Sequence, residues 1–398
     1  MIETDIFIAG GGIAGLMVAL AFGADGHNVV VADPNRIITT NADPLADLRT
    51  TAYLQPAQAL MSDLGFWDQI ADWATPLQIM RLVDAGAPDG NIRETADFDA
   101  SEIGDLPFGW NIANWRMRQA LSKAIEAKPN VTFLEGVAVS NLLTREREAR
   151  VTLSDGTSYL CQMIIGADGR ESFVREASGI GAKTTRYGQK GIVFVVSHTE
   201  RHQNISTEIH QSGGPFTLVP LPDHEGQPAS AVVWMDFAAE CDRRMRLNEA
   251  DFAAEATLRS AHVLGTLKLV SRLQAWPIIT RQADALTAER TALIAEAAHV
   301  IPPIGAQGLN MSINDILALR DASHAHPMGS DAMLKEFSQK RAPDIALRIR
   351  GIDILNRAAM TQSENLKALR LMGLQSLHGI GPVRRAAMEL GLGASVAQ

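Results

Sequence analysis

The chain has 398 residues, 46% of them hydrophobic and 20% charged. That is the composition of a globular protein with room for two or three structural units, and it excludes disordered, collagen-like and coiled-coil classes. Lys and Arg total 36 against 45 Asp and Glu, a net charge of -9, so the basic footprint that holds nucleic acid is missing. Cys161 and Cys241 are the two cysteines; they offer neither a disulfide framework nor metal-ligand spacing, which predicts no metal site and a reducing, cytoplasmic setting. No run approaches the roughly 20 apolar residues of a membrane-spanning helix, and the acidic start MIETDIFIAG lacks the positive charge of a secretory signal.

In chain order, residues 5–9 form an apolar run that stops at three glycines, and 13–24 carry Leu16, Ala19 and Leu20 at helical spacing, predicting strand, tight turn and helix. The β-branched run 29–31, ending at Asp33, follows at the distance of a βαβ crossover. Helix formers dominate 49–73, and 79–98 mixes short apolar runs with Gly, Pro and Asp, predicting a helix and then a hairpin. A helix is expected over 115–127 and strands over 131–139 and 150–153. Strand character returns at 163–165, 191–199, 217–220 and 231–234, so a β-rich block of about 181–235 interrupts the α/β portions. A helical pattern covers 249–269, a short strand 291–294 precedes a Pro/Gly loop, and from 313 the chain reads as helix with breaks at Pro327, Pro343, Gly373 and Gly381.

Gly10-Gly11-Gly12-Ile13-Ala14-Gly15 satisfies GxGxxG, and its context gives that spacing weight: it follows a strand, opens a helix, and precedes Asp33 by 18 positions from Gly15. Gly10 permits the tight turn, Gly12 lets backbone N–H groups reach a pyrophosphate at the positive helix end, and Gly15 lets helix and strand approach. Asp33 is placed to accept hydrogen bonds from a ribose. The motif alone leaves NAD and FAD open.

Two later segments decide between them. Ile165-Gly166-Ala167-Asp168-Gly169-Arg170-Glu171-Ser172-Phe173-Val174-Arg175 resembles the GADGxxSxxR fingerprint of class A flavoprotein monooxygenases. Ala295-Glu296-Ala297-Ala298-His299, with Pro303, Gln307, Gly308 and Asn310, resembles the same group's GDAAHxxxPxxGQGxN motif. Asp47-Leu48-Arg49-Thr50-Thr51-Ala52, Gly214-Pro215 with Leu218-Val219-Pro220-Leu221, and the tail Leu369-Arg370-Leu371-Met372-Gly373-Leu374 are similar to the ubiquinone-biosynthesis hydroxylases within it. The resemblance implies an α/β fold of the para-hydroxybenzoate hydroxylase type: a Rossmann-like FAD-binding domain with a parallel sheet (1–75, 100–180 and 285–330), an inserted β-rich substrate domain (76–99 and 181–284), and a C-terminal helical region (331–398). It implies FAD as cofactor and NAD(P)H as co-substrate. The expected activity is hydroxylation of an aromatic ring, a polyprenylated phenol intermediate of ubiquinone biosynthesis, by dioxygen through a flavin C4a-hydroperoxide.

By the same resemblance Gly10, Gly12, Ile13, Ala14, Gly15 and Asp33 hold the ADP half of FAD, while Arg49, Asn114, Asp168 and Glu296 contact its middle. Gly308, Leu309 and Asn310 lie at the isoalloxazine, and Pro303 and His299 are the catalytic candidates, His299 reading equally well as a packing residue. Ala295-Glu296 replaces the usual Gly-Asp and Ala306 replaces the first Gly of GQG; the extra methylene of Glu moves the carboxylate by about 1.5 Å. Val195, Ile209, Phe216, Leu218 and Trp234 are pocket-wall candidates, although alternation of this kind first marks core. Cations with apolar residues between them make the tail a candidate for peripheral docking on the inner membrane face or on a biosynthetic partner. Two other readings stay open: a reductase of the same fold acting on a prenyl lipid, and a non-catalytic accessory subunit.

Overall fold

A computed structural model describes residues 1–86 and 91–392. The first sheet is built on five parallel strands in the order Thr291–Leu293, Ser158–Gly166, Ile2–Ala9, Val29–Asp33, Val131–Glu135, and the antiparallel pair Val139–Arg145 and Glu148–Leu153 extends it beside Ser158–Gly166. Its central strands are continuous runs such as Val29-Val30-Val31, buried along their whole length, as expected where helices cover both faces of a parallel sheet. The helices Ile13–Ala24 and Asn114–Glu126 are its crossovers.

The second sheet has nine strands, ordered His299–Val300, Gln274–Ala283, Ala182–His198, Gln227–Phe237, Pro215–His224, Ile205–His210, Ile79–Asp84, Glu94–Asp99, with Leu267–Leu269 added beside Ala182–His198. Thr50–Leu54, Gly109–Ala113 and Thr75–Leu77 make a small third sheet between the two larger ones in the chain's path.

Several expected elements are corrected. Over 49–73 the chain forms the strand Thr50–Leu54 and only then the helix Gln55–Asp63, because Thr50, Thr51 and Tyr53 favour extended backbone. The helix expected over 249–269 stops at Arg259, and Leu267–Leu269 is a strand. The last helices are Gln307–Ala325, Asp331–Met360, Glu364–Gly379 and Gly381–Leu392, so neither Pro343 nor Gly373 is a break. A proline inside a helix costs about 3 kcal/mol. Here Arg341 and Ile345 on either side of it are buried, and Asp344 binds both Arg341 and Arg348; this tertiary anchoring outweighs the lost bond.

The two faces of the second sheet have separate fates. On one, Ile192, Phe194, Val196, Ile209, Phe216, Leu218 and Trp234 pack against Cys241, Phe252 and Ala256 of the helices Ala238–Arg244 and Glu249–Arg259. Phe194 and Phe252 meet edge to face at 4.9 Å. Four of the five pocket-wall candidates, Ile209, Phe216, Leu218 and Trp234, are therefore ordinary core. Val195, which alternates with the buried Phe194 and Val196, lies on the other face.

That other face is covered at both ends. Val233 and Met235 pack against Ile278, Ile301, Ile304 and Ile352. Met80, Leu82, Ala96 and Phe98 pack against Leu54, Phe108 and, from the last two helices, Leu374, Leu377, Met388 and Leu392. Between these two covers Val195, Ser206, Glu208, Thr217 and Val219 stay only half-buried. Both cysteines are buried, and burial pushes the Cys161 thiol up to about 12 and the Cys241 thiol up to about 11, so neither supplies a thiolate nucleophile. Among the described residues no helix is long and apolar enough to cross a membrane.

Candidate active site

The glycine loop leaves the first strand at Gly10, whose φ of +103° is open to glycine and where a Cβ would stand 2.4 Å from the Ala167 carbonyl oxygen. A Cβ at Gly15 would meet the Gly10 carbonyl at 1.9 Å, whereas one at Gly12 would meet nothing within 4 Å. Helix and loop thus touch backbone to backbone, and the loop opens outward at Gly12. Gly12 is the N-cap of Ile13–Ala24 and brings no side-chain hydrogen bond to the helix end, which includes Ile13 and Ala14. A partial positive charge remains there.

Asp33, buried at the end of the second strand, accepts the N–H groups of Gly11 and Asn35, each at 2.7 Å. Arg118 completes this corner. It donates to the carbonyls of Gly11 at 2.8 Å, Arg36 at 3.1 Å and Asn35 at 3.3 Å, and lies 3.4 Å from Asp33. Motif reading missed Arg118; its only signal in the sequence is its place one turn beyond Asn114 on the same helix.

Arg49 and Asn114 are brought together through Asp47. Arg49 grips that carboxylate with two hydrogen bonds of 2.8 Å, Asn114 donates to it at 3.0 Å, and Thr51 donates to Asn114 at 2.8 Å. Burial alone would raise the Asp47 carboxyl, but the Arg49 guanidinium and the Asn114 amide hold it below its ordinary value. The Arg49 guanidinium also stacks 5.0 Å above the Trp276 ring.

Asp168 accepts the Ser172 hydroxyl and, at 3.0 Å, the Val174 N–H. Ser172 caps the short helix Phe173–Ala177. Arg175, buried, joins this loop to the second FAD-like motif by donating to the carbonyls of Ala297 at 2.9 Å and Arg170 at 3.0 Å. Glu296 is held by Arg170 through contacts of 3.2 and 3.3 Å, and it contributes to the field that raises Arg49.

His299 stands in a buried ion network. Its Nε2 is 2.7 Å from Asp315, whose carboxylate also accepts the Ala295 N–H at 3.2 Å and Arg341 at 2.8 Å. Burial would raise the Asp315 carboxyl; the charges and hydrogen bonds of His299 and Arg341 outweigh it and hold the group below the usual carboxylate range. Asn310 spends its whole amide on the fold, accepting from the Leu54 N–H at 3.0 Å and donating to the carbonyls of Ala52 at 2.8 Å and Ala306 at 2.7 Å. It clamps the strand Thr50–Leu54 to the start of the helix Gln307–Ala325. Pro303 is exposed on the loop before this helix, Gly308 is exposed in its first turn, and Leu309 is half-buried.

An open glycine turn, two helix starts without a side-chain cap, and a buried ribose-type carboxylate form a cradle suited to a long anionic dinucleotide. The chain belongs to the FAD binding domain family, whose model matches residues 3–349, and FAD is its cofactor. More particularly, it is 29% identical over 397 residues to ubiquinone hydroxylase UbiL of Rhodospirillum rubrum, covering 98% of this chain and 89% of that protein. It is 28% identical over 399 residues to 3-demethoxyubiquinol 3-hydroxylase of Escherichia coli, covering 98% of each. Among solved structures, p-nitrophenol 4-monooxygenase PnpA of Pseudomonas putida matches with a TM-score of 0.78 at 18% identity, covering 98% of this chain and 99% of that one, a likeness of fold.

Both alanines that stand where the motif has glycine are left-handed, Ala295 at φ +55° and Ala306 at +57°. A side chain in that region costs about 1–2 kcal/mol, and glycine returns part of this as unfolded-chain entropy. Ala306→Gly is expected to stabilise the protein by about 0.5–1 kcal/mol in urea unfolding. Ala295→Gly is expected to be near neutral, because the Ala295 methyl is buried and its loss offsets the gain.

Proposed function

We propose that the chain is an NAD(P)H-dependent aromatic hydroxylase acting on a polyprenylated phenol of ubiquinone biosynthesis. The observation that carries this reading is the half-buried floor of Val195, Ser206, Glu208, Thr217 and Val219, left between the two covers of the second sheet, one of which includes Ile301 and Ile304 of the second FAD-like motif. A partly covered surface that sets a few polar side chains among apolar ones can receive an electron-rich ring and limit the access of water to its oxidation.

Gly10, Gly12, Ile13, Ala14, Gly15 and Asp33, with Arg118, would hold the ADP half of FAD. Arg49, Asn114, Asp168 and Glu296 would flank its middle, and Gly308, Leu309 and Asn310 its ring end. Bound FAD supplies electron transfer from a reduced nicotinamide and the activation of dioxygen. The N–H groups at the start of Gln307–Ala325 favour negative charge beside them. His299 acts as a positioning residue, fixing Asp315 and through it the Ala295 backbone, and exposed Pro303 shapes the ring-side loop. The relatives named ubiquinone hydroxylase and 3-demethoxyubiquinol 3-hydroxylase support the substrate class.

The purified protein should be yellow, and under anaerobic conditions NADH or NADPH should bleach its visible flavin band faster when a short-chain prenylphenol is present; in air, labelled dioxygen should put one oxygen atom into the phenol. Equal bleaching with no oxygenated product would favour a reductase acting on a prenyl lipid. A protein colourless even with added FAD would favour the accessory-subunit reading.

The last two helices and the turn between them present Leu366, Leu369, Met372, Ile380, Val383 and Leu390 to solvent. We propose that this face docks on an anionic membrane surface, giving access to a prenylated substrate. The intact protein should float with anionic liposomes and a Leu369→Glu, Met372→Glu variant should not; wild-type protein left at the bottom of the gradient removes the proposal.

A further inference from the structure

The open floor between the two covered ends of the second sheet can be mapped from its register. Its central row runs Val193, Val233, Thr217, Glu208, Leu82, Ala96, each residue paired with the next across the ladder. Cross-strand partners share a face, so Glu208 points to the same side as Thr217 and Val233. Its side chain is 15% exposed, and that exposed part lies on this face. A largely buried carboxylate beside Ser206 and Thr217 on this face calls for a reason.

His210 supplies a second, independent observation. It lies two residues along the same strand, on the same face, and its Nε2 is 2.8 Å from the Glu208 carboxylate. Its other nitrogen, Nδ1, is buried and among the described residues has no hydrogen-bond partner. The bond from its Nε2 fixes the orientation of the Glu208 carboxylate. The next residue across the ladder, Asp84, is already neutralised by Arg93 at 2.7 Å and Arg370 at 2.9 Å, which leaves Glu208 as the carboxylate offered to the floor.

Resting on the hydroxylase reading above, we infer that Glu208 is the substrate's specificity determinant: its carboxylate accepts the hydrogen bond of the ring hydroxyl, and His210 is the positioning residue that holds it. A phenol O–H bonded to a carboxylate is polarised toward phenolate, which raises the electron density of the ring. No covalent or redox step belongs to this contact.

The test is calorimetric titration of the FAD-loaded protein with 2-prenylphenol and with 2-prenylanisole, its methyl ether, which cannot donate. Wild type should bind the phenol at least about tenfold more tightly, the worth of a charge-assisted bond. Glu208→Gln should bring that ratio down by about tenfold, and His210→Phe should weaken phenol binding while leaving ether binding unchanged; flavin content and melting temperature check that each variant is folded. A wild-type ratio near one, or a Glu208→Gln or His210→Phe variant with the wild-type ratio, overturns the assignment while the hydroxylase reading stands. Wild type that binds neither compound removes that reading and the assignment with it.

Discussion

One fully buried carboxylate, Asp315, ties together the parts on which the ring end of the site depends. It receives the Ala295 N–H from the second FAD-like motif, His299 from the second sheet, and Arg341 from the helix Asp331–Met360. An unpaired buried charge would be prohibitive, so each partner is required by the others. The left-handed turn at Ala295, the last strand of the second sheet and the helix that crosses Pro343 are held in one arrangement. The start of Gln307–Ala325 inherits its place from it, since Asp315 and Asn310 belong to that same helix.

The second constraint is the division of the nine-stranded sheet into a closed face and a partly open one. The closed face is a complete aromatic and aliphatic core with its own helices. The open face is roofed from one side by the segment 301–304 and Ile352, and from the other by the last two helices. What remains between the roofs is the floor that carries Thr217, Val219 and Glu208. Site and C-terminal helices are therefore one packing problem: Gln307, at the start of the ring-end helix, donates to the Gly391 carbonyl at 3.0 Å and accepts from Arg348.

Much of this was legible in the residues. The glycine turn, the buried β-branched strands and Asp33 follow rules that act within some thirty residues, and the first parallel unit lies where the pattern put it. Thr50–Leu54 was hidden because five residues of strand precede a true helix, so one window holds both signals. Pro343 misled because its cost is repaid by ion pairs formed at the tertiary level. Alternation at Phe194, Val195 and Val196 announced two faces without saying which one helices would cover, and four pocket-wall candidates fell on the covered side for that reason. Arg118, Asp315 and Glu208 gave no motif; each takes its meaning from partners whose proximity the fold creates.

The most direct measurement is acid and urea unfolding of the wild type and of Asp315→Asn, each with its FAD content. A carboxyl held below its usual value in the folded state stabilises fully above the unfolded value of about 3.9 and loses that contribution as pH falls through the folded value. The variant is expected to be less stable at neutral pH by about 3–5 kcal/mol, because buried Arg341 keeps only Asp344 as a carboxylate partner while His299 and the Ala295 N–H lose the shared charge. A flatter acid limb than wild type below about pH 4 and weaker retention of FAD complete the expectation. A variant with wild-type stability, acid limb and FAD content would contradict it.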